Sequence, residues 1–182
     1  ARKPPKAILM ANHGLIVAGD DPETIRKNTD DVIARIAAKL ADNWQTAMGP
    51  ATKHADAVAA INTLGPALRA LLAEGDALKV VTFDDSDIAL SFVNSPAAPS
   101  ATAAGPLNPD QIVYCNSYPM WFELVKDESA DAAIARLRDA LAAHAKTTGF
   151  PAKVILVPGL GLFAAGDDYK AADTARNLYL DS

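Results

Sequence analysis

The chain has 182 residues, enough for one domain of ordinary size or two small ones with a hydrophobic core. Its formal net charge of −5 argues against sequence-independent nucleic-acid binding, which needs a basic surface. No apolar run approaches the roughly 18 residues of a membrane span, and no signal-peptide pattern is present. Cys115 is the single cysteine, which excludes an internal disulfide and favours a cytoplasmic protein.

One stretch of the sequence occurs twice. Ala7–Asp21 reads AILMANHGLIVAGDD, and the stretch 147 residues further on, Val154–Asp168, reads VILVPGLGLFAAGDD. Each copy predicts an apolar strand, a short break containing glycine, a second strand, a Gly-Asp-Asp turn and an amphipathic helix. Overlooking an internal repeat leads to a wrong assignment of the fold, so the repeat is considered first. Two copies indicate two similar half-domains, and we expect the two hairpin-helix units to superpose.

In the first copy, Ala7–Ala11 and Leu15–Val17 are so apolar that we expect both strands to be buried on both faces. Asp and Pro at the start of the following helix are favourable capping residues. This helix is predicted to run to about Met48, where Gly49-Pro50 stops it. Its predicted buried face consists of Ile25, Val32, Ile33, Ile36, Leu40 and Trp44.

The middle of the chain predicts a helical region over roughly 52–73, interrupted by Gly65-Pro66, and then a strand over Leu78–Phe83. Asp84–Ala104 fits a short helix after the cap Asp84-Asp85-Ser86, although a strand is an alternative. Its latter part, from Ser95, is rich in Ala, Ser and Pro and fits a linker or a loose helix. The helical region's apolar stripe is Val58, Ile61, Leu64, Leu68, Leu71 and Leu72.

The last part begins with the turn cluster Gly105–Asp110, followed by Gln111–Cys115 and Met120–Val125, both strand-like. Asp127–Thr147 predicts an amphipathic helix, and the second hairpin and its helix follow from Lys153. We therefore predict an α/β fold, layered α/β/α, with a mixed and partly antiparallel sheet.

Three motifs, in order, resemble the class II aldolase/adducin family. Ile8–Gly19 contains the family's apolar-Asn-His-Gly-apolar-Gly hairpin, and Gly105–Tyr114 and Val157–Gly166 resemble its longer, two-part branch. The resemblance implies that residues 1–75 are the C-terminal part of an aldolase-like half and 76–182 a second, related half without the histidine. The chain begins without Met and stops in an apparently helical stretch, so we expect a piece of a longer protein.

The resemblance implies that His13 is the last ligand of a zinc site begun by an upstream His-x-His pair. Zinc in that family polarises the carbonyl of a sugar or sugar-phosphate substrate, and a homo-oligomer is expected. This sequence contains no His-x-His, and the family's acidic catalytic residue also lies upstream. Catalytic zinc usually needs three protein ligands. We therefore expect this chain alone to be inactive and to hold no stoichiometric zinc, and the sequence assigns no catalytic residue.

Each candidate residue also has a structural interpretation. His13 could be a satisfied histidine at a strand end, and His54 and His144 fit the rim of a core. Gly159–Ala164 matches the G-x-G-x-x-A loop of dinucleotide sites, but its helix starts too late, so we expect a packed hairpin and no cofactor. The pairs Asp20-Asp21 and Asp167-Asp168 fit helix caps better than a cation site. Tyr114, Cys115, Tyr118 and Trp121 fit a core more than a pocket.

Three functions follow from these residues. The first is the downstream fragment of a zinc-dependent sugar or sugar-phosphate aldolase, a lyase. The second is a non-catalytic, adducin-like interaction domain, and the third an NAD-dependent oxidoreductase. The sequence upstream of Ala1 would separate the first two, because a His-x-His there favours the enzyme.

Overall fold

The computed structural model describes residues 4–11, 13–40 and 48–182. The chain divides into a first unit, Ala1–Ala47, and a second unit, Met48–Ser182. In the first unit, strands β1 (Ala7–Met10) and β2 (Gly14–Val17) form an antiparallel two-stranded sheet, and helix α1 (Pro22–Leu40) follows. The Asp21 carboxylate caps this helix by accepting the Thr24 N–H at 2.7 Å, which stabilises its first turn.

The expectation that the first hairpin is buried on both faces was wrong. Ile8 is 46% exposed, Leu9 68% and Ile16 49%. The reason is that a two-stranded sheet followed by one helix has no further layer to cover it among the described residues of this unit. The expected apolar face of α1 is also incompletely buried at Ile25, Ile33, Ile36 and Leu40, and Trp44 lies outside the described residues.

The second unit contains helices on both sides of a sheet. Its helices are α2 (Ala57–Leu71), α3 (Asp87–Val93), α4 (Ala98–Ala103), α5 (Pro109–Cys115), α6 (Ala130–Thr148) and α7 (Tyr169–Leu180). Its strands are β3 (Val80–Asp84), β4 (Met120–Trp121), β5 (Val154–Val157) and β6 (Gly161–Gly166).

The four strands form one mixed sheet in the order β3-β6-β5-β4. Strand β6 is antiparallel to both of its neighbours, whereas β4 and β5 are parallel. The strands β3, β4 and β5 therefore point the same way, and their carboxyl ends lie at one edge of the sheet. Every residue of β5 and β6 is buried, as expected for central strands covered on both faces.

Two apolar clusters cover the two faces of this sheet, which confirms the predicted α/β/α layering and the mixed sheet. On one face, Ile155, Val157, Phe163 and Ala165 pack against side chains of α2 and α6. On the other face, Val154, Leu156, Leu162 and Ala164 pack against side chains of α3, α5 and α7. The alternation follows from the two-residue period of a strand.

The prediction of a strand over Gln111–Cys115 was wrong, because these residues belong to helix α5. The Asn108 side chain accepts the Gln111 N–H at 2.9 Å, and Pro109 occupies the first turn. This local capping outweighs the strand preference of Ile-Val-Tyr. The strand predicted over Met120–Val125 is shorter than expected and covers only Met120–Trp121.

Two further expectations changed in the middle of the chain. Gly65-Pro66 does not interrupt α2, which runs continuously through both residues. Gly65 faces the Phe163 ring, so tertiary packing holds the helix at this point. For Asp84–Ala104 the helical alternative is confirmed: Ser86 caps α3, and α4 forms within the Ala-rich segment.

The boundary expected between residues 75 and 76 concerns the two halves of a parent protein and stays a prediction. None of the helices that the structure describes is long and apolar enough to span a membrane.

Candidate functional site

The two hairpins have the same strand register, residue for residue. Ala7 pairs with Val17 and Met10 with Gly14 in the first hairpin. The residues 147 positions later pair identically: Val154 with Ala164, and Val157 with Gly161. The same strand direction and connection in both copies confirm the predicted structural repeat.

The hydrogen bonds of the two units also correspond. The N–H of His13 donates to Met10 O at 3.2 Å, and the N–H of Leu160 donates to Val157 O at 3.0 Å. Asp168 caps α7 through the Ala171 N–H at 2.7 Å, as Asp21 caps α1. His13 and Leu160 therefore occupy equivalent positions, and one copy carries an imidazole where the other carries an alkyl group.

In the turn of the second hairpin, the backbone N–H groups of Gly159 and Leu160 both have hydrogen-bond acceptors within the protein. Gly159 and Gly161 have φ of +73° and +121°, which only glycine adopts readily. A Cβ on Gly161 would lie 2.1 Å from Asp84 O, and Leu160 and Leu162 are buried. The prediction that these glycines serve backbone geometry is confirmed. The Gly159 N–H donates to Asn94 Oδ1 at 2.8 Å, so it is not free to bind a phosphate.

Asn94 joins this turn to the segment at the start of the second unit. Its amide group donates to Pro50 O at 2.7 Å and to Thr52 O at 2.8 Å. The His54 N–H in turn donates to Gly159 O at 2.7 Å. Gly49 lies so close to Asn94 that a Cβ would be 2.2 Å from its carbonyl oxygen. Sequence reasoning missed this network, because a single Asn after a short helix gives no pattern.

The carboxyl ends of β3 and β5, where α/β sheets usually bind ligands, carry charged groups that are already paired. Lys53 Nζ lies 2.5 Å from Asp85 Oδ2, and Arg176 lies 4.0 Å from Asp84 and 2.7 Å from Asp173. Together with the Asn94 network, these pairs engage the polar side chains named at this edge of the sheet. The second hairpin therefore presents no open polar site in the part of the chain that is described.

Elsewhere in the second unit, a cavity of about 290 Å³ lies between the end of α2 and α6. Leu71, Leu141, Ala142 and Ala145 give it an apolar lining, with Glu74 and Arg138 among the lining residues. Glu74 is occupied by Lys79 Nζ at 2.7 Å, and Lys79 also contacts Asp167 at 2.5 Å. These two carboxylates, Asp167 first, raise the pKa of Lys79. The cavity offers no acid–base pair of a catalytic kind.

The first hairpin differs from this closed arrangement. His13 is exposed at the turn after β1, and Asn12, the counterpart of Gly159, lies outside the described residues. Among residues 4–11, 13–40 and 48–182 there is no group of three or more His, Cys, Asp or Glu side chains that could hold a metal ion. The described residues alone therefore do not fit a zinc site, and His13 is a single donor without described companions.

The remaining candidates fall into structural roles. Cys115 is buried, its Sγ lies 3.4 Å from Ala175 O, and burial raises its pKa to about 11, so the thiol is a poor nucleophile. Trp121 packs against the same cluster, whereas Tyr114 and Tyr118 are 45% and 40% exposed. His54 is exposed, as a rim residue would be.

His144 lies on α6 and is partly buried, also consistent with a rim position. Its Nε2 atom is buried and has no hydrogen-bond partner among the described residues. Burial lowers the pKa of this imidazole.

A protein-family model described as aldolase class II, second domain, matches residues 59–182. Among curated proteins, an uncharacterized oxidoreductase YuxG of Bacillus subtilis (strain 168) is 26% identical over 200 aligned residues. That alignment covers 94% of this chain but only 28% of YuxG. The chain thus spans less than a third of the length of this relative. No solved structure matches the chain.

Proposed function

Because the chain belongs to the class II aldolase/adducin family and represents a downstream portion of it, we propose that its parent is a zinc-dependent aldolase. The substrate class would be a sugar or sugar phosphate. In this proposal His13 supplies one imidazole to the metal, and the other ligands come from residues outside this chain. The family is established by the match over residues 59–182, whereas the substrate and the metal are inferences from that family.

The proposal is supported by a difference between two hairpins of the same register: His13 in the first stands at the position of Leu160 in the second. At the position where Leu160 is fully buried, the first copy places the exposed imidazole of His13. An apolar residue would suit this position if the turn only had to pack. An imidazole at a strand end adds a metal ligand or proton carrier, which supports a polar site at the first hairpin. No catalytic step is assigned to this chain, since its described residues lack the remaining ligands.

The name of YuxG raises the question of an oxidoreductase activity. Most of that protein lies outside the aligned region, so its named activity does not have to reside in the part shared with this chain. In the second hairpin, the Gly159 N–H is taken by Asn94 and Leu160 N–H by Val157. A pyrophosphate would need free donors at this turn. The second hairpin therefore favours a packing role over nicotinamide binding.

The alternative is a non-catalytic, adducin-like interaction domain. It is supported by the carboxyl edge of the sheet in the second unit, where the side chains of Asn94, Lys53 and Arg176 all have partners. Such a half would stabilise assembly and do no chemistry. Under this alternative the parent would lack an upstream His-x-His, and replacing His13 would change neither metal content nor turnover.

The test compares the parent polypeptide with its His13→Ala and His54→Ala variants. Zinc content is measured by elemental analysis, and aldol cleavage is measured on a panel of sugars and sugar phosphates. The proposal predicts about one zinc per chain in the parent and a large loss of zinc and activity in His13→Ala only. His54 belongs to the second unit and is exposed, so it is the matched control. Retention of zinc and activity by His13→Ala would refute the ligand role.

A further inference from the structure

The first hairpin has an uncovered apolar face, defined here as Ile8, Met10 and Ile16. Ile8 and Ile16 are 46% and 49% exposed, and Met10 is half-buried. On the other face Leu15 and Val17 are half-buried and Leu9 is 68% exposed, so neither face of this hairpin is buried as the second hairpin is. The counterparts of the uncovered face are Ile155, Val157 and Phe163, all at most 1% exposed. Hairpins of the same strand register thus differ in burial, so the difference lies in what packs against them.

The second hairpin shows which elements cover the equivalent surface. Its face with Ile155 and Phe163 packs against α2 and α6. Along the outer edge of β5, strand β4 runs parallel, with Met120 opposite Ile155, and the Phe122 N–H donates to Leu156 O at 2.9 Å. The corresponding edge of β1, at Ile8 and Leu9, has no strand partner among the described residues.

We propose that the first hairpin is a docking surface for a strand–helix segment from the upstream part of the aldolase-like half to which residues 1–75 are assigned. The strand would run parallel to β1 at Ile8 and Leu9, and the helix would cover the uncovered face, as β4 and α6 do in the second unit. The occupant is argued from two observations: the equal register of the hairpins and the family match, which describes a second domain and so implies another.

The repeat also gives the position of the occupant along the chain. Met120 precedes its partner Ile155 by 35 residues, and α6 is a 19-residue helix that ends at Thr148, shortly before β5. By the same spacing, the docking strand begins about 35 residues before Ile8, and an amphipathic helix of about five turns separates the two.

The proposal has a consequence for His13. The side chain of Leu160, its counterpart, belongs to the core cluster that includes α2 and α6. A segment covering the uncovered face would therefore lie beside the turn that carries His13 and bring new side chains close to it. The docking rests on the assignment to a downstream portion, but it does not depend on His13 binding metal.

The experiment compares hydrogen exchange in residues 1–182 with exchange in the same chain extended by about 40 upstream residues of its own coding sequence. We expect the β1–β2 amides to gain at least about 100-fold protection in the extended chain. The amides of β5 and β6 serve as an internal control for folding and should change little. Equal protection of β1–β2 in both chains would overturn the proposal.

Variants identify the face. In the extended chain, Ile16→Asp should abolish the added protection and Ile16→Val should keep it, because only the charge is incompatible with a buried helix contact. Ile16→Thr is a milder variant should Ile16→Asp fail to fold, as judged by the β5–β6 amides. Unchanged protection in all three variants contradicts a contact at this face.

A second copy of the chain is the competing occupant. If residues 1–182 alone gain β1–β2 protection as protein concentration rises, self-association covers the hairpin and the proposal is wrong. Zinc content, measured in parallel, keeps the outcomes separate. Docking with no zinc refutes the metal role alone, whereas zinc bound through His13 without added β1–β2 protection refutes the docking alone.

Discussion

Two independent features of the structure disfavour any residue other than glycine at position 161. Its φ of +121° disfavours any side chain, and Asp84 O occupies the space where a Cβ would stand. Gly149 offers a matched comparison, since its φ is +82° but nothing lies within 4 Å of the Cβ position. The first residue combines backbone strain with a steric clash, and the second has backbone strain alone.

We expect Gly161→Ala to destabilise the second unit by more than Gly149→Ala does. Strain alone costs about 1–2 kcal/mol, and the clash with Asp84 O at the end of the edge strand β3 adds several tenths to a few kcal/mol. Urea unfolding followed by circular dichroism gives both free energies. Equal losses in the two variants would show that β3 moves aside without cost.

His144 makes stability depend on pH. Burial lowers the pKa of its imidazole, so the folded protein holds this proton less readily than the unfolded chain does. The free energy of unfolding is therefore not reduced by His144 above about pH 7. It falls as the pH drops below the pKa of a histidine in the unfolded chain, about 6.5, toward the lower pKa of His144 in the folded protein. His144→Gln should reduce this acid sensitivity. Urea midpoints at pH 7.5 and 5.5 test this; an unchanged difference between the two midpoints would assign the acid sensitivity to other groups.

At the scale of elements, the second Asp of each Gly-Asp-Asp turn caps the following helix. Asp168 accepts the Ala171 N–H, whereas Asp167, the other member of the pair expected to cap this helix, forms an ion pair with Lys79. The hydrogen bond from Lys79 is the main cause that lowers the pKa of Asp167. The sequence locates the turn, but the assignment of each carboxylate requires the position of Lys79.

Asp168→Ala should cost about 1 kcal/mol of stability through the lost cap of α7. Asp167→Ala should cost less, because the Asp167 side chain is exposed to solvent and Lys79 keeps its ion pair with Glu74. That smaller loss should shrink further in high salt. Urea unfolding at about 0.1 and 1 M NaCl distinguishes the two roles. A larger loss for Asp167→Ala would reverse them.

Element types were predictable wherever local signals agreed. The cap and periodicity of α6 and α7, and the alternation of the hairpins, all point to the structures observed. Gln111–Cys115 shows the limit of this reasoning. Its β-branched and aromatic side chains favour a strand, but the capping by Asn108 and packing against α7 fix a helix.

At the scale of the whole molecule, the two units should unfold separately. The first unit has no buried residue in α1 and an exposed hairpin, whereas the second has two apolar clusters around its sheet. We expect the β1–β2 amides to exchange at lower urea than the β5–β6 amides. Native-state hydrogen exchange measures both. One shared transition would indicate that the units fold as a single cooperative body.

The isolated chain is expected to hold no stoichiometric zinc. A single imidazole gives little affinity without further ligands, and the described residues supply no three-membered group. Elemental analysis after exhaustive dialysis measures the content. About one tightly bound zinc per chain, lost in His13→Ala, would contradict this and would require ligands from a neighbouring chain.

By itself, the sequence determined the repeat, the family, the two hairpins and the helices with clear caps, because these depend on residue identity and short spacings. Only the tertiary structure decided which hairpin is buried: Ile16 and Phe163 occupy the same position in hairpins of the same register, yet one is exposed and the other is not. Burial depends on the layers that pack against a strand, and residues distant in sequence supply those layers. The same reason hid the Asn94 network, whose partners Pro50, Thr52 and Gly159 lie 42 to 65 residues away.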